Sequence, residues 1–120
     1  MISADNPANP ATVNRFAVVL TPTKAFLDWV NSISTDDELT IEELCEDTAV
    51  YLVPEDDLEP EIYIKKHFTA LFESELEGWC TDDSLWPRDR SYKVFKRFFN
   101  ISIHSVVIDL GVEDLAREQE

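Results

Sequence analysis

Short apolar runs bounded by proline or glycine predict three β-strands in this chain. The segments 15–20 (RFAVVL) and 48–53 (TAVYLV) are rich in β-branched and aromatic residues, which are typical of strands. The run from Ile101 to Leu110 is the third, and Gly111 ends it. Because these runs carry apolar residues on both faces, we expect both faces of the sheet to be covered. A second copy of the chain, in a homodimer, is one candidate cover.

Segments whose apolar residues recur three and four positions apart predict four helices. The first begins at Thr21 and Pro22, because threonine caps a helix and proline fits its first turn. The second begins at a capping box, in which Thr40 and Glu43 each satisfy a backbone N–H of the other.

The two later helices carry most of the aromatic residues. The third runs from Pro60 to Glu77, with Gly78 as its C-terminal cap. The fourth follows Trp86 and ends at Asn100, a residue that tolerates a left-handed backbone. The element order β-α-α-β-α-α-β predicts an α+β fold, in which four helices pack on a small three-stranded sheet, antiparallel or mixed.

The chain of 120 residues has the length of a single domain. We place that domain at residues 14–111, between a flexible leader at 1–13 and a polar C-terminal tail at 112–120. The N-terminal residues do not resemble a signal peptide, and no apolar run is long enough to cross a bilayer. We therefore expect a cytoplasmic protein.

Charge is the strongest compositional feature. The chain has 25 acidic and 10 basic residues, a formal net charge of -15. Such a field repels nucleic acids and anionic membranes, so we expect neither as a direct partner. Half of the basic residues lie within one short segment on the fourth helix: Arg88, Arg90, Lys93, Lys96 and Arg97. This basic face either compensates acidic helices of the same molecule or docks a partner of complementary charge.

Two tryptophans, Trp79 and Trp86, flank the loop that adjoins this basic segment. Tryptophan offers a large apolar area and an N–H donor, and it is common among residues that anchor a protein partner. The alternative is that both rings tie the loop to the core. With the five cations, these rings make up the candidate partner-binding surface.

Imidazoles and thiols give a second hypothesis, that of a small enzyme or ligand-binding protein with His67, His104 and carboxylates in one pocket. No pair shows metal-ligand spacing such as CxxC or HxxxH, so we expect no bound metal and interpret both histidines as partly buried structural residues. Cys45 and Cys80 lie among acidic residues, whereas a catalytic thiol needs an electropositive setting.

Glycine is scarce, with two residues in the chain. Loops that bind phosphate groups need glycine for close backbone approach, so we expect no nucleotide cofactor. A non-enzymatic protein–protein interaction module fits these observations best. The pocket enzyme above is one alternative. An acidic mimic of DNA that inhibits a nucleic-acid-binding protein is a second.

The segments NRFAVVLTPTKAFLDWVNS, LTIEEL, AVYLVP and ESELEGWCTDDSLWPRDRSYKVFKRFF together resemble a small family of uncharacterised bacterial proteins. The resemblance covers residues 14–110, and TDDSLWP is its most distinctive stretch. The family consists of free-standing chains of about this length with no known activity. The resemblance therefore implies a bacterial, stand-alone, cytoplasmic protein and no particular site residue.

Overall fold

The computed structural model describes residues 11–34, 37–55 and 59–118, so residues 1–10 of the predicted leader and the last two of the tail lie outside its description. The described strands are β1 (Ala11–Thr12), β2 (Arg15–Pro22), β3 (Val50–Pro54), β4 (Phe99–His104) and β5 (Ile108–Asp109). The described helices are α1 (Lys24–Ile33), α2 (Ile41–Leu44), α3 (Pro60–Trp79) and α4 (Tyr92–Phe98), with a 3₁₀ turn at Asp83–Leu85.

Strand β2 lies at the centre of a three-stranded sheet, between β3 and β4, and both pairings are antiparallel. Val18 stands opposite Tyr51 on one side and Ile103 on the other. The helices pack on one face of this sheet. The prediction of an α+β fold with a small sheet of three strands is confirmed, and the pairing is antiparallel.

The two faces of the sheet differ in burial because side chains alternate along a strand. Val18 and Leu20 point toward the helices and are fully buried. Val50 and Leu52 point the other way and are 59% and 47% exposed. The outer face is thus partly apolar and open to solvent, and its coverage by a second copy of the chain stays a prediction.

Phenylalanine rings from three helices and one strand form the centre of the core. Phe99 on β4 lies 4.7 Å from Phe26 of α1 and 5.6 Å from Phe95 of α4, between ring centroids. Phe72 of α3 meets Phe98 and Phe99 nearly edge-on. Tilted and edge-on ring pairs add stabilisation beyond the area they bury. The cluster therefore joins α1, α3 and α4 to the sheet.

The start of α1 differs from the prediction. Pro22 belongs to β2, where it stands opposite Phe99, and the N-cap of α1 is Thr23. The Thr23 hydroxyl donates to the carbonyl of Arg97 at 2.6 Å, and its N–H donates to the carbonyl of Phe98 at 2.9 Å. Pairing with β4 therefore keeps the chain extended for two residues beyond the predicted strand.

Helix α4 also begins and ends differently. It begins after Ser91, so Arg88 and Arg90 precede the helix. The predicted helix end at Asn100 is wrong, because the chain is already extended at Phe99 and Asn100 pairs in β4. No described residue has a positive φ.

The predicted third strand is interrupted after His104. Its second part, β5, pairs with β1 in a separate two-stranded ribbon, so part of the predicted leader is a strand. Val13 donates its N–H to the carbonyl of Val107 at 2.9 Å and extends this contact. Residues 112–118 form no helix.

Helix α3 continues through Gly78 instead of ending before it. Its C-cap is Cys80, whose N–H donates to the carbonyl of Leu76 at 2.9 Å. A Cβ atom built at Gly78 meets no other atom within 4 Å. The helix therefore carries an exposed glycine with no steric reason for it.

We expect Gly78→Ala to raise the free energy of unfolding by up to about 1 kcal/mol, because alanine loses less backbone entropy in a helix. Urea denaturation measures the change. Gly111→Ala is the control and should not raise the free energy of unfolding. Gly111 lies outside the helices, and a Cβ atom built there comes to 3.1 Å from Asp109 Oδ1. A lower stability of Gly78→Ala contradicts the helix end described here.

Candidate functional site

Five cationic side chains are exposed on α4 and on the segment before it: Arg88, Arg90, Lys93, Lys96 and Arg97. None of them forms an ion pair with a carboxylate in the described ranges. The ion pair found there joins Lys24 and Asp28 within α1, at 3.1 Å. In the described ranges, therefore, no ion pair joins these five cations to the acidic helices that were expected to compensate them.

Packing of α4 fixes where these cations point. Val94, Phe95 and Phe98 are buried against the core, so the opposite side of the helix carries its three cations into solvent. Ser91 accepts a hydrogen bond from the N–H of Val94 at 3.3 Å and caps the helix. Lys96 and Arg97 lie in the last turn, where cations interact favourably with the helix dipole.

Aromatic rings lie beside the cations. The Arg90 guanidinium is 5.8 Å from the Trp86 ring, and the Lys96 ammonium is 5.1 Å from the Tyr92 ring. Lys65 of α3 also reaches Tyr92, with its ammonium 6.0 Å from the ring centroid. Cations at such distances are attracted to the faces of aromatic rings.

We name this the cation–aromatic surface and define it by the following residues: Lys65, Trp86, Arg88, Arg90, Tyr92, Lys93, Lys96 and Arg97. The sequence pattern does not indicate that Lys65 and Tyr92 belong to this surface. It places each residue on a helix, but only the packing of α3 against α4 brings the Lys65 ammonium near the Tyr92 ring.

One acid, Asp89, lies within this surface. Hydrogen bonds from Ser91 hold the pKa of its carboxyl below the usual range, and the nearby charges of Arg97 and Lys93 act in the same direction. The carboxylate thus stays ionised at neutral pH and offsets part of the positive charge. The surface remains cationic because the other charges on it are positive.

The two candidate tryptophans have different roles. Trp86 is half-buried, and its indole N–H donates to the carbonyl of Cys80 at 2.8 Å, which ties the loop to the end of α3. Trp29 of α1, which was not a candidate, donates to the carbonyl of Leu85 at 3.2 Å and holds the same loop. Trp79 is 43% exposed and lines a groove of about 430 Å³ together with Val30, Ile33, Ser34, Asp37, Leu39 and Cys80.

The structure does not bring the two histidines together. His67 is exposed on α3, with its ring 4.3 Å from Tyr63. His104 is exposed on β4, where it shares a 2.9 Å hydrogen bond with Ser102 on the sheet face opposite the helices. The prediction that both are partly buried is wrong, because neither points into the core. Within the described ranges, no three His, Cys, Asp or Glu residues are grouped to hold a metal.

The Tyr51 hydroxyl donates a hydrogen bond to the Glu75 carboxylate and links β3 to α3. Burial raises the pKa of Tyr51 to about 12, and the hydrogen bond to Glu75 adds to this shift. Burial also raises the pKa of Glu75 above its ordinary value. The Ser74 hydroxyl lies 3.3 Å from the phenol oxygen. This contact joins β3 to α3 and involves none of the residues of the cation–aromatic surface.

Raising the pKa of a tyrosine on folding stabilises the fold below pH 10, and that contribution is lost as the pH rises through about 12. We therefore expect the free energy of unfolding to fall over this range, and to fall less in Tyr51→Phe. At neutral pH the variant loses about 1 kcal/mol with the hydrogen bond. Urea denaturation at several pH values measures both effects.

The matched control for this experiment is Tyr63→Phe, which removes a hydroxyl outside the contact with Glu75. It should keep the alkaline slope of the wild-type protein. An identical slope in Tyr51→Phe and the wild type contradicts the assignment.

Comparison of the chain with protein-family models, with curated proteins and with solved structures found no match. The resemblance to a bacterial family and the bacterial origin therefore stay predictions. In the described part of the chain, no helix is both long enough and apolar enough to span a membrane.

Proposed function

We propose that the protein is a non-enzymatic interaction module that docks an acidic region of another protein on its cation–aromatic surface. The observation that carries the proposal is the exposed cluster of cations without ion pairs in the described ranges, on a chain with 25 acidic residues. Exposed cations that form no ion pair within residues 11–34, 37–55 and 59–118 are available to carboxylates of a partner.

The aromatic rings beside the cations support a protein partner. Arginine, tryptophan and tyrosine are enriched among the residues that dominate binding energy at protein interfaces. Trp86 is held by its hydrogen bond to Cys80, and Tyr92 packs against Phe68 at 5.2 Å between ring centroids. Rings fixed in this way lose little conformational entropy when a partner binds.

The rival hypothesis of an enzyme pocket has less support. His67 and His104 lie on opposite sides of the sheet, and neither lines the groove beside Trp79. No arrangement of carboxylates among the described residues favours the acidic DNA mimic, and this alternative is an outcome of the experiment below. The role of Trp79 as a binding anchor also stays a prediction.

Charge reversal tests the proposed function. The triple variant Lys93→Glu, Lys96→Glu, Arg97→Glu should lose the acidic proteins that the wild-type protein captures from an extract of its source cells. Identification of the captured proteins by mass spectrometry gives the charge of each partner. Capture by the wild type should weaken with rising salt, because exposed charges are screened.

The matched control reverses three cations outside the cation–aromatic surface: Lys24→Glu, Lys66→Glu and Arg117→Glu. It has the same net charge as the test variant and should retain the partners. Loss of capture in both variants indicates a general effect of charge and contradicts the proposal. If the wild-type protein and the test variant both capture basic nucleic-acid-binding proteins, the result favours the DNA-mimic alternative.

A further inference from the structure

A cavity of about 310 Å³ lies between α3, α4 and β4, at the edge of the cation–aromatic surface. Its lining residues are Glu61, Ile64, Tyr92, Ile101 and Ile103. The volume is at the small end of the range for ligand pockets. It therefore admits one large side chain better than a whole ligand of drug size.

The cavity is mainly apolar. Ile64 is 1% exposed and is the most deeply buried side chain of the lining. Ile101 and Ile103 stand on the inner face of β4 and are half-buried. An apolar group that enters the cavity is removed from water against these three side chains, which is favourable in proportion to the area buried.

The charges around the cavity are arranged asymmetrically. Tyr92 lines it, and the same ring has the ammonium groups of Lys96 and Lys65 at 5.1 and 6.0 Å from its centroid. Glu61, which is exposed, contributes a negative charge to the lining. An occupant with carboxylates is attracted toward the lysines and repelled by Glu61, so its orientation is defined.

We propose that the acidic segment of the partner carries a large apolar side chain next to its carboxylates. The apolar side chain enters the Ile64–Ile101–Ile103 cavity, and the carboxylates contact Lys65 and Lys96. This inference rests on the proposed function and specifies the chemistry of the partner. It explains why cations and an apolar cavity share the Tyr92 ring.

Two peptides of equal charge test the inference on the full chain. Both consist of glutamate residues, one around a central phenylalanine and the other around a central alanine. The phenylalanine peptide should bind about tenfold more tightly, since its ring is buried. In spectra of isoleucine methyl groups it should shift the signals of Ile64, Ile101 and Ile103, and leave Ile41 unchanged.

The double variant Lys65→Gln, Lys96→Gln should lower the affinity for both peptides by a similar factor, because it removes the two positive charges and keeps the cavity. If both peptides bind with equal affinity and the triple charge-reversal variant binds neither, the proposed role of the cavity is contradicted and the proposed function stands. Shifts at Ile33 in place of the cavity residues locate the ring in the Trp79 groove and also overturn the inference. Absence of binding by both peptides contradicts the inference and the proposed function together.

Discussion

Packing of phenylalanine rings at the junction of α4 and β4 is the contact on which the remaining structure depends. Phe98 ends the helix and Phe99 begins the strand, and both rings are buried. Phe26 from α1 and Phe72 from α3 meet them there. The junction therefore fixes the position of three helices relative to the sheet. It also fixes Thr23, whose hydroxyl and N–H are bound by carbonyls of the same junction.

The same packing places the charged surface. A helix that buries Phe95 and Phe98 presents the side chains between them to solvent. In α4 those side chains are Lys96 and Arg97, and α3 contributes Lys65, whose ammonium lies near the Tyr92 ring. A cationic surface on an acidic protein thus follows from the aromatic core, because the core decides which side of α4 faces outward.

Features set by local sequence were predictable. Thr40 and Glu43 form the expected capping box, since both hydrogen bonds lie within one turn. The strand at residues 15–20 was also predictable, because a short run of β-branched and aromatic residues defines it, and the spacing of apolar residues predicted a helix where α4 lies. The exposure of Lys93, Lys96 and Arg97 follows from helical periodicity, whereas Arg88 and Arg90 precede the helix.

Features set by long-range contacts were not predictable. Pro22 lies in a strand because β4 pairs with it, and Asn100 is extended because β2 pairs with it. No local pattern distinguishes Lys65 from Lys66, yet only the first reaches Tyr92 in the described contacts. The cavity below that ring arises from α3, α4 and β4 together, so no single segment of the sequence indicates it.

Amide hydrogen–deuterium exchange of the unbound protein tests most directly whether the aromatic junction holds α4 and its cations in place. Amides with the largest opening free energies exchange most slowly. The account predicts that the hydrogen-bonded amides of residues 95–103 are among the slowest in the described part of the chain, well below the rates of residues 110–118. Exchange of the α4 amides as fast as those of residues 110–118 would contradict it.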